Sequence, residues 1–138
     1  CPEGALTSRG PTPEEQQDIQ AGLRAARLMA ALDVGQTVVV KRGVIVAVEA
    51  LEGTDAAIRR AHGLAVGELV VVKTAAASQD RRFDLPVIGA DTMAVAREAG
   101  VACLAVEAGS TLLLEREAAI AAANAAGICL VGVALPSA

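Results

Sequence analysis

Aromatic side chains are almost absent from this chain, which has no Trp, no Tyr and one Phe among 138 residues. Single-stranded nucleic acid is usually held on aromatic stacking platforms and a basic groove. The formal net charge of -4 supplies no basic footprint either, so nucleic acid is not expected as a partner. Histidine is equally scarce: His62 stands alone. The three cysteines, Cys1, Cys103 and Cys129, form no CxxC pair, and a zinc centre of the usual Cys/His type cannot be assembled from this set. Cys103 and Cys129 lie in apolar runs and read as small buried hydrophobes. His62, beside Gly63 near a helix end, reads as a surface or capping residue rather than a catalytic one.

Familiar landmarks are missing as well. There is no P-loop, GxGxxG, GxSxG or HExxH motif, so chemistry by those routes is unsupported. The opening Cys1-Pro2-Glu3-Gly4 has neither the basic region nor the apolar run of a signal peptide. With Cys in place of an initiating Met, the chain reads as a piece of a longer, cytoplasmic protein. The stretch from Ala118 to Pro136 is uncharged, but it is Ala- and Gly-rich, contains Asn124, and changes at Gly127 to Ile128-Cys129-Leu130-Val131. Helix, glycine stop and strand describe it better than a membrane span.

What is present is aliphatic. Hydrophobic residues make up 54% of the chain, nearly all Ala and Leu, which favour helices, or Val and Ile, which favour strands. Residues 1–12 are Pro- and Gly-rich and read as linker, leaving 13–138 as one domain. Thr12-Pro13-Glu14-Glu15 is a helix start with an N-cap, a proline at the first position and a capping-box glutamate, and the helix should run to about Leu32. Gln36 to Val40 and Val44 to Glu49 flank Lys41-Arg42-Gly43 and predict a hairpin. Glu52-Gly53-Thr54-Asp55 opens a short helix to about His62, with Thr54 or Asp55 as its cap. Leu69 to Val72 is a buried strand ending at Lys73, followed by a polar loop over 74–90. Asp91-Thr92 caps a helix to about Ala99, Val101 to Val106 is a strand, and Thr111 to Leu114 allows another. Glu115 to Ala126 is helix and Ile128 to Val133 the last strand. The expected fold is α/β, a single layered domain whose mixed sheet combines an antiparallel hairpin with parallel βαβ units packed by helices.

In such sheets ligands gather at the carboxyl ends of strands and the amino ends of helices. Three polar segments fall there. In Glu49…Glu52-Gly53-Thr54-Asp55, at a strand end and a helix start, Gly53 permits close backbone approach and the first helical N–H groups attract an anion, unless the run is ordinary capping. Lys73 either reaches a phosphate or marks where a strand meets solvent. The loop Gln79-Asp80-Arg81-Arg82-Phe83-Asp84-Leu85-Pro86 mixes arginines that can clamp phosphate with carboxylates that can hold Mg²⁺ or orient water, or else it is a solvated connection.

These runs, together with Asp33-Val34-Gly35-Gln36, Val48-Glu49-Ala50-Leu51, Val87-Ile88-Gly89 and Ala105-Val106-Glu107-Ala108-Gly109, resemble the C-terminal domain of bacterial UDP-2,3-diacylglucosamine pyrophosphatases of the I type. The resemblance covers nearly the whole chain. It implies Mg²⁺-dependent hydrolysis of UDP-2,3-diacylglucosamine to UMP and 2,3-diacylglucosamine 1-phosphate (lipid X), a step of lipid A biosynthesis. It also implies a preceding N-terminal domain with the substrate held between the two, a homodimer, and contact with the inner-membrane surface. On that basis Asp84 is the expected catalytic carboxylate. Asp80, Glu52 and Asp55 are the expected metal or water-orienting groups, and Gly53, Thr54, Lys73, Arg81 and Arg82 the expected phosphate-binding residues. The competing reading is a non-catalytic dimerisation or ligand-binding α/β module.

Overall fold

Runs of Val, Leu and Ile build a six-stranded mixed sheet in the computed structural model, which describes residues 1–75 and 85–135. The strands are β1 (Gly4–Ala5), β2 (Thr37–Lys41), β3 (Val44–Val48), β4 (Leu69–Lys73), β6 (Val101–Glu107) and β8 (Cys129–Val133), in the spatial order β1-β8-β6-β4-β2-β3. Two short strands, β5 (Val87–Ile88) and β7 (Leu112–Leu113), pair in parallel apart from this sheet. Four helices accompany them: α1 (Pro13–Ala31), α2 (Thr54–Leu64), α3 (Ala90–Glu98) and α4 (Arg116–Ala126). β4, β6 and β8 are parallel neighbours joined through α3 and α4, whereas β2 runs antiparallel to both β3 and β4. The mixed sheet expected from the sequence is present, hairpin and βαβ units included.

Alternation along the strands sorts the core into two layers. Val39, Val71, Leu104 and Leu130 point to the face covered by α2, α3 and α4, against Ile58, Met93, Ala96 and Ala123. Val38, Val40, Val70, Val72, Cys103 and Cys129 point to the other face, covered by α1 through Ile19, Leu23 and Ala26. Both cysteines are free and buried, as small hydrophobes. Close approach of α1 to the sheet depends on Gly22, where an added Cβ would lie 2.5 Å from Val72 Cγ2 and 3.2 Å from Val40 Cγ2. Those branched side chains are buried and cannot turn away. Gly22→Ala is therefore expected to destabilise the domain by about 1–3 kcal/mol through overpacking, measurable as a lowered midpoint in urea.

Thr12 caps α1 as expected: its hydroxyl accepts from Glu15 N at 3.1 Å, and Glu15 answers the Thr12 amide, completing the capping box. The hairpin turn is tighter than three residues. Strand pairing continues through Lys41, leaving Arg42 (φ 48°) and Gly43 (φ 79°), both left-handed, as the central pair, the arrangement that suits two-residue hairpins. The Asp18 carboxylate of α1 accepts from both turn amides, at 3.1 Å and 2.7 Å.

Other expectations are corrected. The segment 1–12 is not a linker. Gly4–Ala5 pairs with β8, Thr7 Oγ1 accepts from Leu130 N at 3.1 Å, and Arg9 bridges Glu15 Oε1 (2.7 Å) to the Ala102 carbonyl (2.7 Å). This segment supplies the edge strand beside β8 and ties α1 to the sheet. Nor do Asp91-Thr92 cap α3, which starts at Ala90 after Gly89, with no side-chain cap. The uncharged stretch after Ala118 is the helix, left-handed glycine (Gly127, φ 72°) and strand expected of it. No helix among the described residues is long and apolar enough to cross a membrane.

Candidate anion-binding site at the strand ends

Because β2 is antiparallel to its neighbours, its first residue meets the last residues of β3 and β4 at one end of the sheet. Thr37 lies opposite Lys73, and Glu49 follows β3 immediately, its amide donating to the Thr37 carbonyl at 2.9 Å. Lys73 in turn pairs with Val106, one residue before Glu107. Five buried polar residues thus share this end: Thr37, Glu49, Lys73, Thr74 and Glu107. Burying such groups is costly unless each is bonded or put to use.

Glu49 is 7% exposed and fully engaged. Its Oε1 accepts from Gln36 N at 3.0 Å and its Oε2 from the Thr54 hydroxyl at 2.7 Å. Thr54 Oγ1 also lies 3.0 Å from Thr37 Oγ1. The chain entering β2 passes so close to Glu49 that a Cβ on Gly35 would collide with the Glu49 carbonyl oxygen. Glu107 accepts from Ala75 N at 2.8 Å. Thr74 Oγ1 is buried with no hydrogen-bond partner among the described residues.

Lys73 is 8% exposed, and its Nζ donates to the Val87 carbonyl at 3.4 Å. Burial pushes its pKa below the ordinary lysine value, against the opposing pull of the Glu49 and Asp55 carboxylates. Those two negative charges sustain a cation in a poorly solvated position. Beside it, α2 begins at Thr54 after Gly53, a cap that contributes no side-chain hydrogen bond. Neither Thr54 nor Asp55 is the N-cap expected from the sequence, because Thr54 lies in the first turn and its hydroxyl is turned to Glu49. The first amides of α2 are consequently left without a side-chain acceptor, in the geometry that attracts anions.

Lys73, Gly53, Thr54, Asp55, Arg59 and Thr92 line one open depression of about 460 Å³. A larger groove of about 550 Å³ lies between α1 and β8, with Pro13, Ile19, Val131 and Val133 among its walls and no charged residue. By chemistry the smaller depression is the candidate site. Glu52 also reaches its rim, but it is ion-paired with Arg60 at 2.7 Å, which holds its carboxyl below the usual range. Gly53, Thr54, Asp55 and Lys73 are thus brought together, with Glu52 tied to one side. Asp80, Arg81, Arg82 and Asp84 lie outside the described residues.

Sequence reasoning placed Glu49 at the strand end of the first polar segment without giving it a role, and missed Thr37, Thr74, Glu107 and Arg59 as site residues. A signal existed for Glu107, which like Glu49 ends a run of apolar strand residues, the same cue that singled out Lys73. Thr37 carried none, because only sheet register brings it to Lys73.

Fold and site together define an α/β domain that presents a buried lysine and uncapped helix amides at strand ends, suited to an anionic ligand. Residues 2–131 match the family described as the LpxI C-terminal domain, and the chain belongs to that family. The UDP-2,3-diacylglucosamine pyrophosphatase LpxI of Caulobacter vibrioides is 43% identical over 140 residues, an alignment covering 96% of this chain and 50% of that protein. The chain therefore spans about half the length of this curated relative.

Proposed function

We propose that this chain is the catalytic C-terminal half of a UDP-2,3-diacylglucosamine pyrophosphatase, a hydrolase of lipid A biosynthesis that yields UMP and 2,3-diacylglucosamine 1-phosphate. The observation that carries the reading is the buried Lys73 beside the uncapped start of α2, in a chain 43% identical to an enzyme of that name. An N-terminal half, a second copy and the membrane surface are the partners of the same reading.

Pyrophosphate hydrolysis adds water oxygen to one phosphorus while the bridging oxygen leaves with the other. The protein must hold the charged oxygens still and place a base for the water proton. Lys73 and the first amides of α2 bind phosphoryl oxygens, joined by Arg81 and Arg82. Asp84 orients the water and takes its proton.

The oxygen donors around the depression, the Asp55 carboxylate and the Thr54 hydroxyl, fit Mg²⁺, which takes one or two carboxylates and completes its shell with phosphates and water. Asp55 would hold it in this half, joined by Asp80, with Glu52 weakened for that task by Arg60. Bound there, the metal would offset charge developing on the phosphates. Asp84 remains the water-orienting group.

The test is a titration of the full-length protein with UMP, lipid X and Mg²⁺, read by NMR at assigned amides. Saturable shifts at Gly53, Thr54 and Lys73 are expected. No saturable shift at these positions would favour the non-catalytic module instead.

A further inference from the structure

We propose that Glu49 is a positioning residue of this site: its carboxylate fixes the direction in which the Thr37–Thr54 hydroxyl pair donates and places a negative charge beside Lys73. The proposal rests on reading the depression as the pyrophosphate-binding place. An ionised carboxylate can only accept hydrogen bonds. Glu49 uses one oxygen for Gln36 N (3.0 Å) and the other for the Thr54 hydroxyl (2.7 Å). Thr54 has a single proton, and it goes to Glu49. In the 3.0 Å contact between Thr37 and Thr54 the proton must then come from Thr37. The hydrogen bonds run one way, from Thr37 to Thr54 to Glu49.

That direction decides what Thr54 offers a ligand. Having donated to Glu49 and accepted from Thr37, its oxygen presents lone-pair density to the depression. It suits an O–H, an N–H or a cation, and it cannot donate to a phosphate. Anion binding at this end of α2 falls to Lys73 and the backbone amides. Lys73 depends on Glu49 in turn, since burial opposes its charge and the Glu49 carboxylate favours it. Gly35, with no side chain, lets the strand pass against the Glu49 backbone. The Gln36 amide does not itself require the charge, because the side-chain oxygen of a glutamine could accept the same hydrogen bond.

Glu49→Gln separates the roles. Its oxygen still accepts from Gln36 N, but its NH₂ faces Thr54, which must then accept. The Thr54 proton is released from Glu49 toward Thr37 or the depression, and the charge beside Lys73 disappears. In the full-length protein, Glu49→Gln is expected to lower kcat/KM for UDP-2,3-diacylglucosamine by about tenfold or more, with a melting temperature within roughly 5 °C of wild type. Thr54→Val should show a comparable loss, which Thr54→Ser largely recovers. The double variant should be no worse than the weaker single within about threefold, because both act through one hydrogen-bond chain.

Turnover of Glu49→Gln within about twofold of wild type, or losses that multiply in the double variant, would overturn the proposal. Collapse of the fold in Glu49→Gln would make the residue structural and overturn it too. If the wild-type protein hydrolyses no UDP-2,3-diacylglucosamine, the functional reading fails separately. Calorimetric binding of inorganic pyrophosphate then decides for Glu49: affinity weakened about tenfold by Glu49→Gln upholds the positioning role, and unchanged affinity overturns it.

Discussion

Asp84→Ala in the full-length protein is expected to reduce hydrolysis of UDP-2,3-diacylglucosamine by about 10²–10⁴-fold, the range for loss of a positioned acid or base. The described half of the site explains why so much falls on this residue. Glu49 has both oxygens engaged by Gln36 N and Thr54, Glu52 is paired with Arg60, and Glu107 accepts from Ala75 N. Asp55 is the carboxylate at the start of α2 and is suited to the metal. His62, the only histidine, follows at the far end of the same helix. The proposed base for the water is Asp84, which lies in the charged run that accompanies the family resemblance. Steady-state turnover of the purified variant checks this. Near wild-type rates would remove Asp84 from the catalytic role.

Lys73→Met is the second large effect. It removes the buried cation while keeping an unbranched apolar stem in its place. The loss expected is about 10²–10³-fold in kcat/KM, as for other preorganised charge-stabilising groups in water-poor sites. Lys73→Arg should not restore it, because a guanidinium is larger and delivers its charge as a planar fork. The same variant has a stability signature. Burial sets the folded-state pKa of Lys73 below its unfolded value, so between the two values the unfolded chain binds the proton more tightly. Wild-type stability relative to Lys73→Met should therefore rise with pH from the folded pKa upward and level off above the ordinary lysine value. Urea unfolding of both proteins across alkaline pH measures it; a difference that falls with pH contradicts the assignment.

What could be read from the chain was local. The capping box at Thr12 and Glu15, the glycine stop at Gly127 and the apolar runs of β2, β4, β6 and β8 each depend on residues a few positions apart, and each formed as expected. What could not be read depends on register between distant segments. Nothing near Gly4 shows that β8 needs an edge partner. Nothing near Asp18 shows that two amides of a hairpin turn lie above it. At the site, Lys73 stood out because a charge follows four apolar strand residues. Thr54 was visible as a residue and misread as a cap, although its acceptor, Glu49, stands only five residues before it, across the turn that joins β3 to α2. The functional class came from the composite runs of residues and their family resemblance; composition alone indicated only an aliphatic α/β domain.

The most direct test of the central claim is to incubate the full-length protein with UDP-2,3-diacylglucosamine and Mg²⁺ and identify the products by mass spectrometry. UMP and 2,3-diacylglucosamine 1-phosphate in equal amounts, formed by wild type and greatly reduced in Asp84→Ala and Lys73→Met, is the predicted result. Intact substrate, or UDP in place of UMP, would contradict it.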